Sequence, residues 1–191
     1  MDYKVRFVDP VRNYAMIKAE INQAYFEVMS QGDLIDRQQL KSFEKNLADF
    51  VGTKYAVGLN SGYDALHMSL RAAGIGPGDE VIVPAHTFVA TCSAVVNVGA
   101  TPVLVDVAKD FNIDVDKIEE VITEKTRAII PVHLSGYMAD MPGIMDIAEK
   151  YNLVFIEDAC QSLGSGINGK RAGSWGLTGC WSFYPFKILG G

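Results

Sequence analysis

Apolar positions recur at helical spacing in the first quarter of the chain and in short continuous runs after it. Ile17, Ile21, Ala24, Tyr25 and Val28 mark one helix face, and Leu40, Phe43, Leu47 and Phe50 mark a second. Gly32 and Gly52 punctuate the two ends. From residue 55 the period changes. Tyr55 to Leu59, Val81 to Val83, Val103 to Asp106, Ala128 to Val132, Val154 to Glu157 and Cys180 to Phe183 read as strands. Helices are expected between them at Tyr63 to Ala73, Thr87 to Asn97, Asp116 to Thr123 and Met141 to Tyr151. Strands that are apolar throughout, rather than alternating, are covered on both faces. The pattern therefore predicts a three-layer α/β domain around a mostly parallel sheet. Gly76-Pro77-Gly78-Asp79 and Gly99-Ala100-Thr101-Pro102 supply turns, and Asn168-Gly169 a hairpin turn. The chain divides into an N-terminal helical segment, 1–54, and a large domain, 55–191.

Composition narrows the function classes. With 191 residues, 49% hydrophobic, the chain can bury a core. A net charge of −6, with no basic run, argues against a nucleic-acid or anionic-membrane surface, so a phosphate would have to be gripped locally. The apolar runs are too short for a membrane span, and Met1 to Arg6 lacks a leader pattern, so a cytoplasmic location is expected. Cys92, Cys160 and Cys180 have neither disulfide-framework nor metal-pair spacing and read as small core residues. His67, His86 and His133 lack metal-ligand spacing, and no metal is expected.

In parallel sheets ligands bind at the carboxyl ends of the strands, so the polar residues there carry the chemistry. Asn60-Ser61-Gly62-Tyr63 opens directly into a helix whose free N–H groups suit a phosphate, although the same turn is also a plain helix cap. Asp158 ends an apolar strand, where a carboxylate needs a cationic or protonated partner; a pyridinium nitrogen meets that need, and so does a cap or an ion pair. Ser182 has a hydroxyl to offer the phosphate or a turn, and Phe88 a ring to stack on a flat heterocycle or to bury. Lys187 sits among Phe183, Tyr184, Pro185 and Phe186 before Gly190 and Gly191. Desolvation there disfavours its ammonium form and makes it the candidate Schiff-base nucleophile. Lys170, beside Arg171 in a polar turn, is expected to stay a charged surface group.

Taken together, the phosphate turn, Asp158 with Gln161, and the ending Ser182-Phe183-Tyr184-Pro185-x-Lys187-x-Leu189-Gly190 resemble the DegT/DnrJ/EryC1/StrS family of PLP-dependent sugar aminotransferases. The resemblance extends through Gly76 to Pro84, Gly99 to Val103 and Ile130 to Leu134. It implies the large domain of the aspartate-aminotransferase type I PLP fold, with 55–191 as a cofactor-binding domain incomplete at its C-terminus. By the same resemblance Lys187 is the catalytic lysine, Asp158 pairs with the pyridine nitrogen, Gln161 meets the phenolic oxygen and Phe88 stacks on the ring. Gly62, Tyr63 and Ser182 would grip the phosphate. The cofactor would be pyridoxal 5′-phosphate, cycling with its amine form. Glutamate would be the donor, and a keto group of a nucleotide-linked deoxysugar the acceptor, in a homodimer with shared active sites.

Tyr63 stands where the family commonly has Thr, and Phe186 and Ile188 flank the lysine where polar residues are commoner. Members of the family continue for about as many residues again, so the resemblance implies a fragment with an unfilled gap beside Lys187 and weak PLP binding on its own. Two alternatives stay open: a truncated, non-catalytic PLP-binding or subunit-pairing fragment, and a PLP-dependent keto-deoxysugar dehydratase, against which Lys187 counts.

Overall fold

The structure, a computed structural model, describes residues 8–32, 35 and 37–190. Residues 1–7, 33, 34 and 36 of the expected helical segment, and Gly191 at the end of the large domain, lie outside the described residues. Helix α1 (Pro10–Gln31) starts where Asp9 accepts the Arg12 N–H at 3.1 Å with Pro in the first turn, and stops at Gly32, whose φ of 70° only a glycine adopts without strain. Helix α2 (Gln38–Val51) turns inward only Ala48 and Val51 as fully buried residues.

Five strands form one parallel sheet: β1 (Glu80–Pro84), β2 (Thr101–Val105), β3 (Thr126–Ile129), β4 (Val154–Asp158) and β7 (Thr178–Cys180), in the order β2-β1-β3-β4-β7. Register is fixed by pairs such as Val83↔Leu104, Ile82↔Ile129, Ala128↔Val154 and Asp158↔Cys180. Helices α3 (Gly62–Ala72) and α4 (Val89–Asn97) cover one face, packing Leu66, Leu70, Ala94 and Val95 on Val81, Val83, Ala128, Ile130 and Ile156. Helix α5 (Met141–Tyr151) covers the other, with Met141, Ile144 and Ile147 against Ile82, Ile129 and Phe155. The three-layer, mostly parallel α/β architecture expected from the apolar runs is the one observed. Asn168 and Gly169, at φ 53° and 77°, turn the two-residue hairpin β5–β6 (Gly166–Ile167, Lys170–Arg171).

Three expectations are corrected, the first being the last strand, which is Thr178–Cys180 rather than Cys180 to Phe183. Asp116 to Thr123 is not an α-helix but two short 3-10 turns, Val115–Lys117 and Glu119–Val121. Val115, Ile118, Val121, Ile122 and Thr123 are all β-branched, which handicaps so short a helix. Tyr55 to Leu59 has no regular secondary structure and is not a strand. No described strand lies beside it: Tyr55, Val57 and Leu59 are 73%, 74% and 48% exposed, and the Gly58 N–H goes to Glu44 Oε1 at 2.6 Å. A strand exists only through its ladder, and here none is offered.

Candidate active site

All seven candidate residues, Gly62, Tyr63, Phe88, Asp158, Gln161, Ser182 and Lys187, line one cavity of about 1330 Å³ at the carboxyl ends of β1, β4 and β7. It is larger than a drug-sized pocket because it runs on as an apolar groove between α2, the unpaired 55–59 segment and the free edge of β7. Leu40, Phe43, Leu47 and Val57 line that extension.

At one end, α3 points its N-terminus into the cavity. Ser61 caps it, accepting the Asp64 N–H at 3.1 Å, while helix geometry leaves the Gly62 and Tyr63 N–H groups without a partner in the helix. A side chain at Gly62 would bring its Cβ within 2.9 Å of Cys160 Sγ and of Ser182 Cβ, so the backbone here approaches the β7 extension as only glycine allows. Ser182 Oγ accepts the Tyr184 N–H at 3.4 Å, and its own hydrogen remains to be donated. Two backbone donors, one hydroxyl and a helix N-terminus are the groups that could hold a phosphate dianion here. The Tyr63 side chain takes no part: its hydroxyl accepts from Asn97 Nδ2 at 2.7 Å, and its ring packs edge-on to His67. Tyr63 thus offers the cradle its main chain alone.

At the other end lies Asp158, the last residue of β4 and 5% exposed. Oδ2 accepts the Thr91 hydroxyl at 2.8 Å, and Oδ1 the Cys160 N–H at 3.2 Å. Gln161 Oε1 accepts the Ser135 N–H at 3.0 Å, which leaves the Gln161 amide N–H groups as the free donors. Ser135 reaches that position at φ 53°, in the left-handed region. Phe88 caps α4 and is 66% exposed, its ring available to a flat ligand.

Lys187 lies in a turn whose N–H returns to Tyr184 O at 2.7 Å, and it is half-buried. The dry aromatic enclosure expected around it is not formed among the described residues. Tyr184 and Phe186 stack edge-on with each other, 60% and 62% exposed, and Phe183 turns to Phe43 of α2. The wall that would enclose the lysine on that side is the open groove. Cys160, beside Asp158, is no competing nucleophile. Burial foremost, and then the Asp158 carboxylate, push its thiol up, against the opposing charge of Lys187. Lys170 is exposed, its ammonium over the Trp175 ring at 4.7 Å.

Sequence reasoning missed Thr91, Thr87 and Ser135. A pair of threonines one turn apart, Thr87 and Thr91, at the start of an otherwise apolar helix was the available sign. The backbone donor of Ser135 leaves no such trace.

A helix N-terminus and a strand-end carboxylate on one cavity, with a lysine on its rim, at the carboxyl end of a three-layer α/β sheet, are chemically suited to a flat, phosphorylated heteroaromatic ring. The chain belongs to the DegT/DnrJ/EryC1/StrS aminotransferase family, whose model matches residues 15–190. It is 47% identical over 187 residues to a UDP-N-acetyl-3-dehydro-alpha-D-glucosamine 3-aminotransferase of Acidithiobacillus ferrooxidans, covering 97% of this chain and 51% of that one. The crystal structure of Streptomyces venezuelae DesV in complex with a ketimine intermediate superimposes with a TM-score of 0.95 at 42% identity, covering 99% and 51% of the two chains. NtdA from Bacillus subtilis with bound cofactor PMP superimposes with a TM-score of 0.84 at 41% identity, covering 91% and 40%. The chain spans about half the length of the curated relatives it matches.

Proposed function

We propose that this chain carries the cofactor-binding part of a pyridoxal 5′-phosphate-dependent aminotransferase that moves an amino group from glutamate to a keto group of a nucleotide-linked deoxysugar. The observation that carries the reading is the convergence of Gly62, Asp158, Gln161, Ser182 and Lys187 on one cavity. The cofactor fits these residues: the Gly62 cradle, which a Cβ would fill, suits its phosphate, and the buried Asp158 suits its ring nitrogen. When bound, pyridoxal phosphate supplies an electron sink that stabilises negative charge on the substrate carbon.

The chain's own groups divide the remaining work. The N–H groups of Gly62 and Tyr63 and the Ser182 hydroxyl hold the phosphate. Asp158 keeps a proton on the ring nitrogen. The Gln161 amide, its oxygen held by Ser135, would offer its N–H to the ring's phenolic oxygen, and the exposed Phe88 ring would cover the ring face. Lys187 would supply, at Nζ, the amine that holds the cofactor's carbonyl carbon and the group that takes up and returns the proton at the substrate carbon.

The nucleotide-sugar class is supported by the names of the relatives, and Lys187 favours transfer over dehydration. Pairing into a homodimer is supported by α1, whose Met16, Tyr25 and Phe26 are 75%, 66% and 67% exposed. No helix among the described residues is long and apolar enough to cross a membrane. The open groove beside 55–59 favours a second reading, in which this chain binds the cofactor and turns nothing over by itself.

Borohydride reduction after incubation with excess pyridoxal phosphate, followed by peptide mass spectrometry, tests the cofactor reading. A pyridoxyl group on Lys187, lost in Lys187→Ala, is expected, and labelling scattered over Lys170 and other surface lysines sinks it. Amino transfer from glutamate to a keto-sugar nucleotide by the same preparation separates the two readings.

A further inference from the structure

We propose that Thr91, backed by Thr87, is a positioning residue that sets the Asp158 carboxylate for the ring nitrogen of the cofactor; the inference rests on the pyridoxal phosphate reading of the site. Thr91 Oγ1 donates to Asp158 Oδ2 at 2.8 Å, and Thr87 Oγ1 lies 2.9 Å from Thr91 Oγ1. A hydroxyl has one hydrogen. With that of Thr91 committed to the carboxylate, the bond between the threonines must be donated by Thr87. The chain therefore runs Thr87 to Thr91 to Asp158, each bond polarising the next.

Its placement suits a support rather than a ligand contact. Thr91 is fully buried and does not line the cavity, whereas Thr87, Phe88 and Asp158 do. The hydroxyl thus reaches the carboxylate from behind and leaves its cavity side open. With Oδ2 held by Thr91 and Oδ1 by the Cys160 N–H, the carboxylate cannot rotate about its broad terminal torsion without losing both bonds. The other fully buried residues of α4 are Ala94 and Val95, a setting in which an unpaired hydroxyl is costly. The helix that carries the Asp158 support also carries Phe88 at its cap, so one element aligns the carboxylate with the ring that Phe88 covers.

Two ligands separate positioning from packing: pyridoxal phosphate, and its 1-deaza analogue, in which C–H replaces the ring nitrogen. Dissociation constants are read by absorbance titration, and the yield of Lys187 labelling at subsaturating ligand gives a second readout. Thr91→Val keeps the shape and removes the hydroxyl; it is expected to weaken pyridoxal phosphate about tenfold, the scale of one hydrogen bond to a charged group, and the analogue less than about twofold. Thr91→Ser restores binding of pyridoxal phosphate. Equal weakening of both ligands, or of neither, overturns the inference. Asp158→Ala tells its failure from that of the parent reading. If that variant weakens pyridoxal phosphate selectively while Thr91→Val does not, only Thr91 is misassigned. If it shows no selectivity, Asp158 does not meet the ring nitrogen and both fall.

Discussion

His133 Nε2 lies 3.0 Å from Glu157 Oε2, with both side chains fully buried. His133 Nδ1 accepts the Ala139 N–H at 3.1 Å, so the ring proton sits on Nε2 and is donated to the carboxylate. Glu157 also accepts N–H groups from Gly173, Trp175 and Gly176 at 2.7, 2.5 and 2.8 Å. One carboxylate therefore ties the segment before β7 to β4, and one imidazole ties the turn after β3 to the same point. His133, at the carboxyl end of the sheet, is a satisfied structural histidine.

Removing that acceptor should cost more than any surface change. Glu157→Ala strands three backbone donors and the His133 N–H, at about 1–3 kcal/mol for each that finds no water. The total takes a large share of a marginal stability. Glu157→Gln keeps one acceptor oxygen and should fall between. Urea midpoints order the three proteins, and an unchanged midpoint for Glu157→Ala refutes the anchoring role.

Gly62→Ala should damage the site before the fold. The new Cβ would sit 2.9 Å from Cys160 Sγ and from Ser182 Cβ and 3.2 Å from Trp181 O, so the α3 N-terminus must back away from Ser182. Pyridoxal phosphate affinity is expected to drop at least about tenfold, or ~1.4 kcal/mol, in a titration. An unchanged affinity places the phosphate elsewhere. Gly179→Ala makes the contrast: its Cβ would land on the Gly173 backbone, which cannot yield as a side chain does, and unfolding rather than selective loss of binding is expected.

Burial foremost, with the Asp158 and Glu157 carboxylates, pushes the Cys180 thiol from 9.0 up to about 12, while the Ser69 hydroxyl opposes. At pH 8 the folded chain should alkylate there far more slowly than the unfolded one, because the thiolate is the reactive form and the folded thiol is both protonated and buried. The linkage has a definite sign. The folded state keeps the proton that the unfolded state loses above pH 9, so this contribution is full below pH 9 and fades as pH rises toward 12. Iodoacetamide kinetics followed by mass spectrometry check the first statement. A denaturant series from pH 8 to 11, with Cys180→Ala as the comparison of slope, checks the second.

Local signals carried much of this in the sequence. Met141 to Tyr151 folds with the bounds its period predicts, and Asn168-Gly169 turns the hairpin as its two positive φ angles require. The strand-end rule and the helix-entry rule pointed to Asp158 and Gly62, which line the same cavity. What stayed hidden depends on partners distant in the chain. Thr91 meets Asp158 across 67 positions, and the Tyr63 side chain is engaged by Asn97, 34 positions on, which leaves only its main chain to the cavity. Tyr55 to Leu59 has a strand's composition and lacks only a neighbour. The aromatic residues around Lys187 enclose it in sequence, but in space Tyr184 and Phe186 face the groove.

Helix α1 offers the sharpest test of self-association. It spans 22 residues with Asp9 and Gly32 caps, and none of its residues is buried. Most helical stability in proteins comes from a packed apolar face, so the exchange protection of α1 reports whatever covers that face. If two copies pair through its apolar face, the amides of Pro10–Gln31 should exchange quickly at submicromolar protein and slow markedly as concentration rises. Those of β1, β3 and β4 should stay protected throughout, since their ladders are internal. Hydrogen exchange read by mass spectrometry across that range distinguishes the cases. Fast exchange in α1 at every concentration would remove the structural support for a homodimer through this helix. Protection that is slow and independent of concentration would mean that the chain covers the helix by itself.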